Sequence, residues 1–347
     1  MLQHLDDPDP FDASPALRAG VQRRAAQLRR RRVSFASVVA IVVVFGFATA
    51  SFAWVRMRDD NIQRVHLADG TLTDVAPSEP VDIVLVGSDS VSTEMGGPRA
   101  DVVMLVRLDP AAGSLHILSF PRDLIDPRTG GRMADVLVGH DATAVVDSVH
   151  LLVSVPIHHY IQLDFQGFVA LVNEMGGVRL DVSAPIADRF TGLSLPAGCS
   201  QLDGTTALGL VRSRHLEVDG VADPTSDLGR TTREQAFITA ALTQLSSSAT
   251  DPLTLDRYAR ILGDHAVLDD KLDFTHLVAL GRELRNVAPN AIESFTLPST
   301  PATQNGAAVL ISSAADADMA RRFLIDGTLP GSSTPQDGAP RLRITSC

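Results

Sequence analysis

Two stretches of this chain gather arginines and carboxylates at spacings that a fold can bring together. The first, residues 99–123, reads RADVVMLVRLDPAAGSLHILSFPRD and carries Arg99 and Asp101 at one end and Arg122 and Asp123 at the other. The second, residues 202–237, reads LDGTTALGLVRSRHLEVDGVADPTSDLGRTTREQAF and carries Arg212, Arg214, Arg230 and Arg233, with Asp227 and Glu234 among them. Arginine forks engage two oxygens at once and do not titrate away, which suits them to phosphate and pyrophosphate. The plainer alternative is a solvated surface on which these arginines pair with Asp219, Asp223 and Asp227.

The elements that must position these groups are strands first. Val102 to Leu108 and Leu115 to Phe120 are apolar, β-branched runs of strand length, and Asp109-Pro110-Ala111-Ala112-Gly113 between them is turn chemistry. The pair reads as an antiparallel hairpin, which returns Arg122 and Asp123 to the end where Arg99 and Asp101 begin. A third strand over Val81 to Gly87 ends in Ser88-Asp89, and if it too runs antiparallel Asp89 arrives at the same end. Arg212 and Arg214 are two apart and on a strand would point the same way, whereas Arg230 and Arg233 share one face of a helix beginning near Asp227.

Helical spacing over Ala144 to Val153 and Asp164 to Glu174, then strand-like Val178 to Val182, gives alternating β and α segments. The fold class expected is α/β with a mixed central sheet. Further helical spacing falls at Tyr258 to Leu262, Leu277 to Val287 and Ala314 to Leu324, and Ala291 to Leu297 has the pattern of a last strand. His140, His158, His159, His215, His265 and His276 show no metal-ligand spacing.

The chain has 347 residues and a formal net charge of −11, which argues against non-specific nucleic-acid binding. Residues 1–32 are acidic and proline-containing, then basic, and read as a cytoplasmic tail. Residues 33–55 give 23 positions without a charge, the length of a membrane span, and the arginine block before them sets the N-terminus inside. A cleaved signal peptide is the competing reading, against which the segment is long and begins late. Residues 56–80 are polar and read as a stalk, leaving 81–347 as the outer domain. The two cysteines, Cys199 and Cys347, suggest an internal bridge in an oxidising exterior. Two free thiols, or a link to another chain, are the alternatives.

Taken in order, GSDS, RAD, SFPRD, YIQLDFQGFVALVNEMGGV, LDGTTALGLVRSRH and SDLGRTTREQ resemble the LytR-CpsA-Psr family of membrane-anchored bacterial proteins. The likeness covers about residues 81–245 and continues more weakly to about 298. It implies one transmembrane helix followed by a three-layer α/β/α domain that binds polyprenyl-pyrophosphate lipids. The implied reaction moves the attached glycan onto peptidoglycan through a phosphodiester at the outer membrane face.

Position by position, the resemblance implies that Asp89 and Asp101 hold Mg²⁺, with Arg99 just before the second of them. Arg122 and Asp123 match the SxPRD motif, Arg122 contacting the pyrophosphate, and Asp123 or Asp89 would take the acceptor's proton. Arg212 and Arg214 match the family's paired arginines, and Arg230 the arginine of its GRxxRQ segment, within which Arg233 and Glu234 also fall. Several positions depart: Ala100 replaces Ser, Glu234 replaces Gln, Arg132 to Asp135 replaces lysine-isoleucine-asparagine, and Gly139-His140 replaces Gly-Gly. A carboxylate at Glu234 would repel phosphate unless it contacts the cation or an arginine. Phe165, Phe168, Val169 and Val172 are the candidates for an apolar groove holding the polyprenyl tail. A binding or regulatory protein without turnover, and a phosphatase using water as acceptor, are the alternative functions.

Overall fold

The structure is a computed structural model that describes residues 59–60, 62–76, 78–89, 98–139, 141–223, 226–248, 252–328 and 342–347. The segment read as membrane-spanning, 33–55, lies outside the described residues, as does most of the loop after Asp89. Among the described residues no helix is long and apolar enough to cross a membrane.

The strands are β1 (Gln63–Val65), β2 (Val81–Ser88), β3 (Ala100–Asp109), β4 (Ser114–Phe120), β5 (His159–Asp164), β6 (Val178–Val182), β7 (Ile186–Asp188), β8 (Leu193–Leu195), β9 (Gly198–Leu202), β10 (Glu217–Val218), β11 (Val221–Ala222), β12 (Ala266–Asp269), β13 (Ile292–Thr296), β14 (Thr300–Gln304), β15 (Ala307–Ile311) and β16 (Ile344–Ser346). The helices are α1 (Ala142–Val153), α2 (Phe165–Glu174), α3 (Gly204–Arg212), α4 (Ser226–Ser248), α5 (Pro252–His265), α6 (Phe274–Leu284) and α7 (Ala314–Asp326).

Seven strands form a central mixed sheet in the order β1-β12-β5-β2-β3-β4-β13. Its middle is the expected hairpin, with Val103 opposite Phe120 and Asp109 opposite Ser114. The turn is built by Asp109, whose Oδ1 accepts from the backbone of Ala111 at 3.0 Å and Ala112 at 2.9 Å. β2 runs antiparallel to β3, and β5 runs parallel to β2. β13 runs parallel to β4, as an edge strand.

The period-2 alternation of the middle strands sends their side chains into two separate cores. Val84, Val86, Val103, Leu105, Leu118 and Phe120 pack with α1 and α7 on one face. Met104, Leu115 and Ile117 pack on the other face with α6 and with Ile238, Leu242 and Leu245 of α4. Helices therefore cover both faces of the sheet.

Three expectations are corrected. Residues 62–76 are not stalk: β1 pairs in parallel with β12, and Ile62, Leu67 and Leu72 are buried. A three-residue strand with the sequence QRV carries no periodicity to announce itself. Second, β6 leaves the central sheet and joins the three-stranded sheet β16-β6-β9, with the chain's last residues on its edge. Third, Arg212 ends a helix rather than lying on a strand. Asp203 caps that helix, accepting from the Thr206 backbone at 2.8 Å, and Ala207, Leu210 and Val211 form its buried face.

The bridge joins Cys199 to Cys347 across a separation of 148 residues, tying β9 to the terminal strand.

Candidate active site

The carboxyl ends of β2 and β5 meet the start of β3, and there the two-residue rhythm of the hairpin is broken. Gly87 pairs with Val102 but Ser88 pairs with Ala100, so Asp101 is an extra residue, a β-bulge. Bulges re-aim a side chain out of the regular pleat. Here the bulge turns Asp101 into a cavity of about 260 Å³ between the sheet and helices α2, α3 and α4.

The walls of the cavity are apolar. Leu85, Val102 and Met104 come from the sheet, Phe165 and Phe168 from α2, Leu208 and Val211 from α3, and Ile238 from α4. Close helix contact makes this enclosure possible. A Cβ at Gly204 would lie 2.3 Å from the carbonyl oxygen of Val169, so only glycine lets α3 approach α2 this closely. At the head of α2, Asp164 accepts from the Gly167 backbone at 2.6 Å and also lines the cavity.

Charge is confined to a few positions. Asp101, Arg122, Arg212, Arg214, Arg230 and Glu234 line the same cavity as Asp164. Arg122 is ion-paired with Asp101, while its Nε is buried with no hydrogen-bond partner. A buried donor left unmet is costly, and an anion in the cavity would satisfy it. Arg212 lies over the Phe165 ring, 4.6 Å from its centroid, so one aromatic side chain both walls the cavity and braces a guanidinium. On α4, Arg230, Glu234 and Ile238 recur at four-residue spacing along the face turned to the cavity. Arg230 Nε lies 3.2 Å from Glu234 Oε1 in a pair that is almost completely buried. Glu234 is therefore held by an arginine.

Other residues singled out in the sequence surround this cavity without lining it. The Asp89 carboxylate accepts from the Arg99 backbone at 3.1 Å, and the Arg99 guanidinium lies 3.5 Å from Asp135. Asp123 lies 3.5 Å from Arg132 and 4.0 Å from Arg122 Nε. Arg233 differs from the expectation of a substrate-binding role. It is 3% exposed, donates to the Ser213 carbonyl at 2.5 Å and pairs with Asp223 at 3.3 Å. Three residues past Arg230, it turns to the neighbouring side of α4, where it holds the segment between Arg212 and Arg214. Of the tail-groove candidates, Phe165 and Phe168 line the cavity, but Val172 is in the core beneath β6 and β9. Val169 is absent from the walls, and its backbone faces Gly204.

Sequence reading missed the sheet's share of the walls, whose signal was the alternation of Leu85, Gly87, Val102 and Met104. It also missed Asp188. This carboxylate accepts from Ser213 Oγ at 2.6 Å and from the His215 backbone at 3.1 Å, and so fixes the residues on both sides of Arg214.

The donor chemistry at the mouth suits a divalent cation. Asp89 directly follows β2 and Asp101 lies on the adjacent β3, at the same end of the sheet, and each offers carboxylate oxygens with lone pairs beyond the one contact described. Mg²⁺ takes one or two carboxylates and completes its shell with phosphate oxygens and water. Among the described residues no cluster of three or more His, Cys, Asp or Glu gathers in a metal-binding arrangement, so a ligand's oxygens would have to complete the shell.

An apolar cavity also lined by guanidiniums and carboxylates has the chemistry to suit an amphipathic anion. The chain matches the model of the LytR_cpsA_psr family over residues 47–324, and it belongs to that family. It is 30% identical over 253 residues to a probable cell wall biosynthesis protein, LcpB, of Corynebacterium glutamicum, covering 65% of this chain and 56% of that one. It is 31% identical over 172 residues to the polyisoprenyl-teichoic acid–peptidoglycan teichoic acid transferase TagU of Bacillus mycoides, covering 48% of this chain and 53% of that one. The chain thus spans little more than half the length of these two relatives. Among solved structures, a LytR-Csp2A-Psr enzyme from Actinomyces oris superposes with a TM-score of 0.61 at 27% identity, covering 76% of this chain and 95% of that one.

Proposed function

We propose that this protein transfers a glycopolymer from a polyprenyl-pyrophosphate carrier to peptidoglycan, leaving a phosphodiester link. The observation that carries the proposal is one cavity with apolar walls and four arginines, one of which, Arg122, keeps a buried donor unmet. A polyprenyl chain needs the walls and a pyrophosphate needs the guanidiniums. The relatives' names, a cell wall biosynthesis protein and a teichoic acid transferase, agree with this chemistry.

In this reading Arg122, Arg212, Arg214 and Arg230 bind and orient the pyrophosphate, and neutralise the charge that builds on the leaving polyprenyl phosphate. The acceptor hydroxyl attacks the phosphorus that bears the glycan, and the bond from that phosphorus to the bridging oxygen breaks. Asp89 and Asp101 would hold Mg²⁺, which supplies charge neutralisation at the pyrophosphate oxygens. With those two carboxylates so assigned, Asp123 is the one left beside Arg122 to accept the acceptor's proton. The proposed place of work is the outer membrane face, with residues 33–55 as the anchor and the N-terminus inside. The Cys199–Cys347 bridge supports an oxidising compartment.

The test incubates the full chain in detergent with a labelled polyprenyl-pyrophosphoryl glycan, Mg²⁺ and peptidoglycan fragments. Label appearing in the peptidoglycan is expected. Release of free glycan phosphate instead would make the protein a phosphatase, and protection of the lipid without turnover would make it a binding protein.

A further inference from the structure

Asp188 is 1% exposed and takes no part in lining the cavity. Its Oδ1 accepts from the Phe190 backbone at 2.8 Å, and its Oδ2 accepts from Ser213 Oγ and from the His215 backbone. Burial pushes this carboxyl up, and the bonds from Ser213, Phe190 and His215 outweigh it and hold it below the usual range. One buried acid thus ties the loop after β7 to the segment after α3.

That tie builds a surface feature. Phe190 is 65% exposed and is the only aromatic residue among the exposed large apolar side chains of the described residues. Its ring centroid lies 4.6 Å from that of His215, inclined at 51°, and the Arg189 guanidinium lies 4.8 Å from the ring. His215 directly follows Arg214, which lines the cavity. An aromatic ring kept in solvent loses burial energy, and here its backbone is fixed by a buried charge, so the exposure is built into the fold rather than left by a loose loop.

We infer that Phe190, flanked by Arg189 and His215, is a shelf for a saccharide ring of the polymer, just outside the pyrophosphate site. The inference rests on the cavity being a polyprenyl-pyrophosphate site. A sugar presents an apolar C–H face to an aromatic ring and hydroxyls at its rim, and the guanidinium and imidazole supply donors for those hydroxyls. A protein partner would call for a broader apolar patch than one ring between two polar side chains.

The test measures binding of two probes to the full chain: geranylgeranyl pyrophosphate, and the same lipid carrying N-acetylglucosamine on its pyrophosphate. Wild type is expected to bind the saccharide-bearing probe roughly tenfold more tightly, the scale of one aromatic contact. Phe190→Ala should erase that preference without weakening the bare lipid, and Phe190→Trp should restore it. A preference that survives in Phe190→Ala, or an equal loss for both probes, overturns the shelf while leaving the cavity reading intact. Wild type that binds neither probe overturns the cavity reading, and the shelf falls with it.

Discussion

The buried carboxylate of Asp188 accepts a hydrogen bond from Ser213 Oγ at 2.6 Å, and Ser213 is the residue between the two cavity arginines Arg212 and Arg214. The Ser213 carbonyl in turn accepts a hydrogen bond from Arg233, at 2.5 Å. Ser213 itself is fully buried, so its side chain positions the arginines and never meets a ligand. Ser213→Ala is expected to cost about 1 kcal/mol of stability, and Asp188→Ala about 2 to 3 kcal/mol because it leaves the buried Ser213 hydroxyl and two part-buried backbone donors unmet. Both should lower affinity for a polyprenyl pyrophosphate. In a double-mutant cycle Ser213→Ala should couple with Arg214→Ala and add independently to Arg122→Ala. Simple additivity with both arginines would reduce the clamp to a stability element.

Glu234 is paired with Arg230 at 3.2 Å inside the cavity, where it offsets part of the positive charge offered to an anion. Glu234→Gln keeps the shape and an acceptor oxygen but removes the opposing charge. The expected result is several-fold tighter binding of polyprenyl pyrophosphate together with a lower unfolding temperature, since the buried guanidinium loses its counter-charge. Lipid titration and thermal melts on the same preparation check both halves. Weaker lipid binding in this variant would mean that the carboxylate itself assists the ligand.

The central hairpin was legible because Asp109 to Gly113 is turn chemistry between two β-branched runs, and that alone returns Arg122 to Asp101. The bulge at Asp101 was not, because one extra residue in a strand leaves no mark on apolar alternation. The two-residue spacing of Arg212 and Arg214 suits a strand, and the signal that places Arg212 on α3 instead is the cap Asp203 with the spacing of Ala207, Leu210 and Val211. Arg230 and Arg233, three apart, share a helix face broadly, and only packing decides which of them meets the cavity and which meets Ser213. The cavity walls draw a few residues each from three strands and three helices, so no local window contains them.

The bridge between Cys199 and Cys347 closes a loop of 148 residues and holds β16 against β6. In the chain-entropy model such a link stabilises by up to about 5 kcal/mol. Leu342 and Ile344 pack on the core shared by α3 and α4, which carry Arg212 and Arg230. Cys347→Ser should therefore lower the unfolding midpoint markedly and lower lipid affinity moderately, and reductant should reproduce both effects in wild type only. An unfolding midpoint indifferent to reductant would show that the terminal strand stays seated without its bridge.

Asp82 lies at the far end of β2 from the cavity, fully buried, 2.8 Å from Arg107. Its backbone N–H donates to His158 Nδ1 at 2.9 Å, and that ring nitrogen lies 3.8 Å from the Asp82 carboxylate. Burial pushes the carboxyl up from 3.8 to about 6, against the opposing pull of Arg107. Between those two values the folded chain binds more protons than the unfolded one at this site, so its contribution to stability is present at low pH and is lost as pH rises through about 6. A window of that width corresponds to at most about 3 kcal/mol. His158 has the opposite sign: burial, with the nearby His159 and Arg107, lowers its pKa from 6.5, so its contribution is lost as pH falls. The Asp82 effect is isolated by comparing wild type with Asp82→Asn, which keeps the shape and does not titrate. The unfolding free energy of wild type minus that of the variant should decline from pH 4 to about pH 6.5 and then level off. A difference that rises over the same interval would mean that Arg107 overrides burial and holds Asp82 ionised throughout.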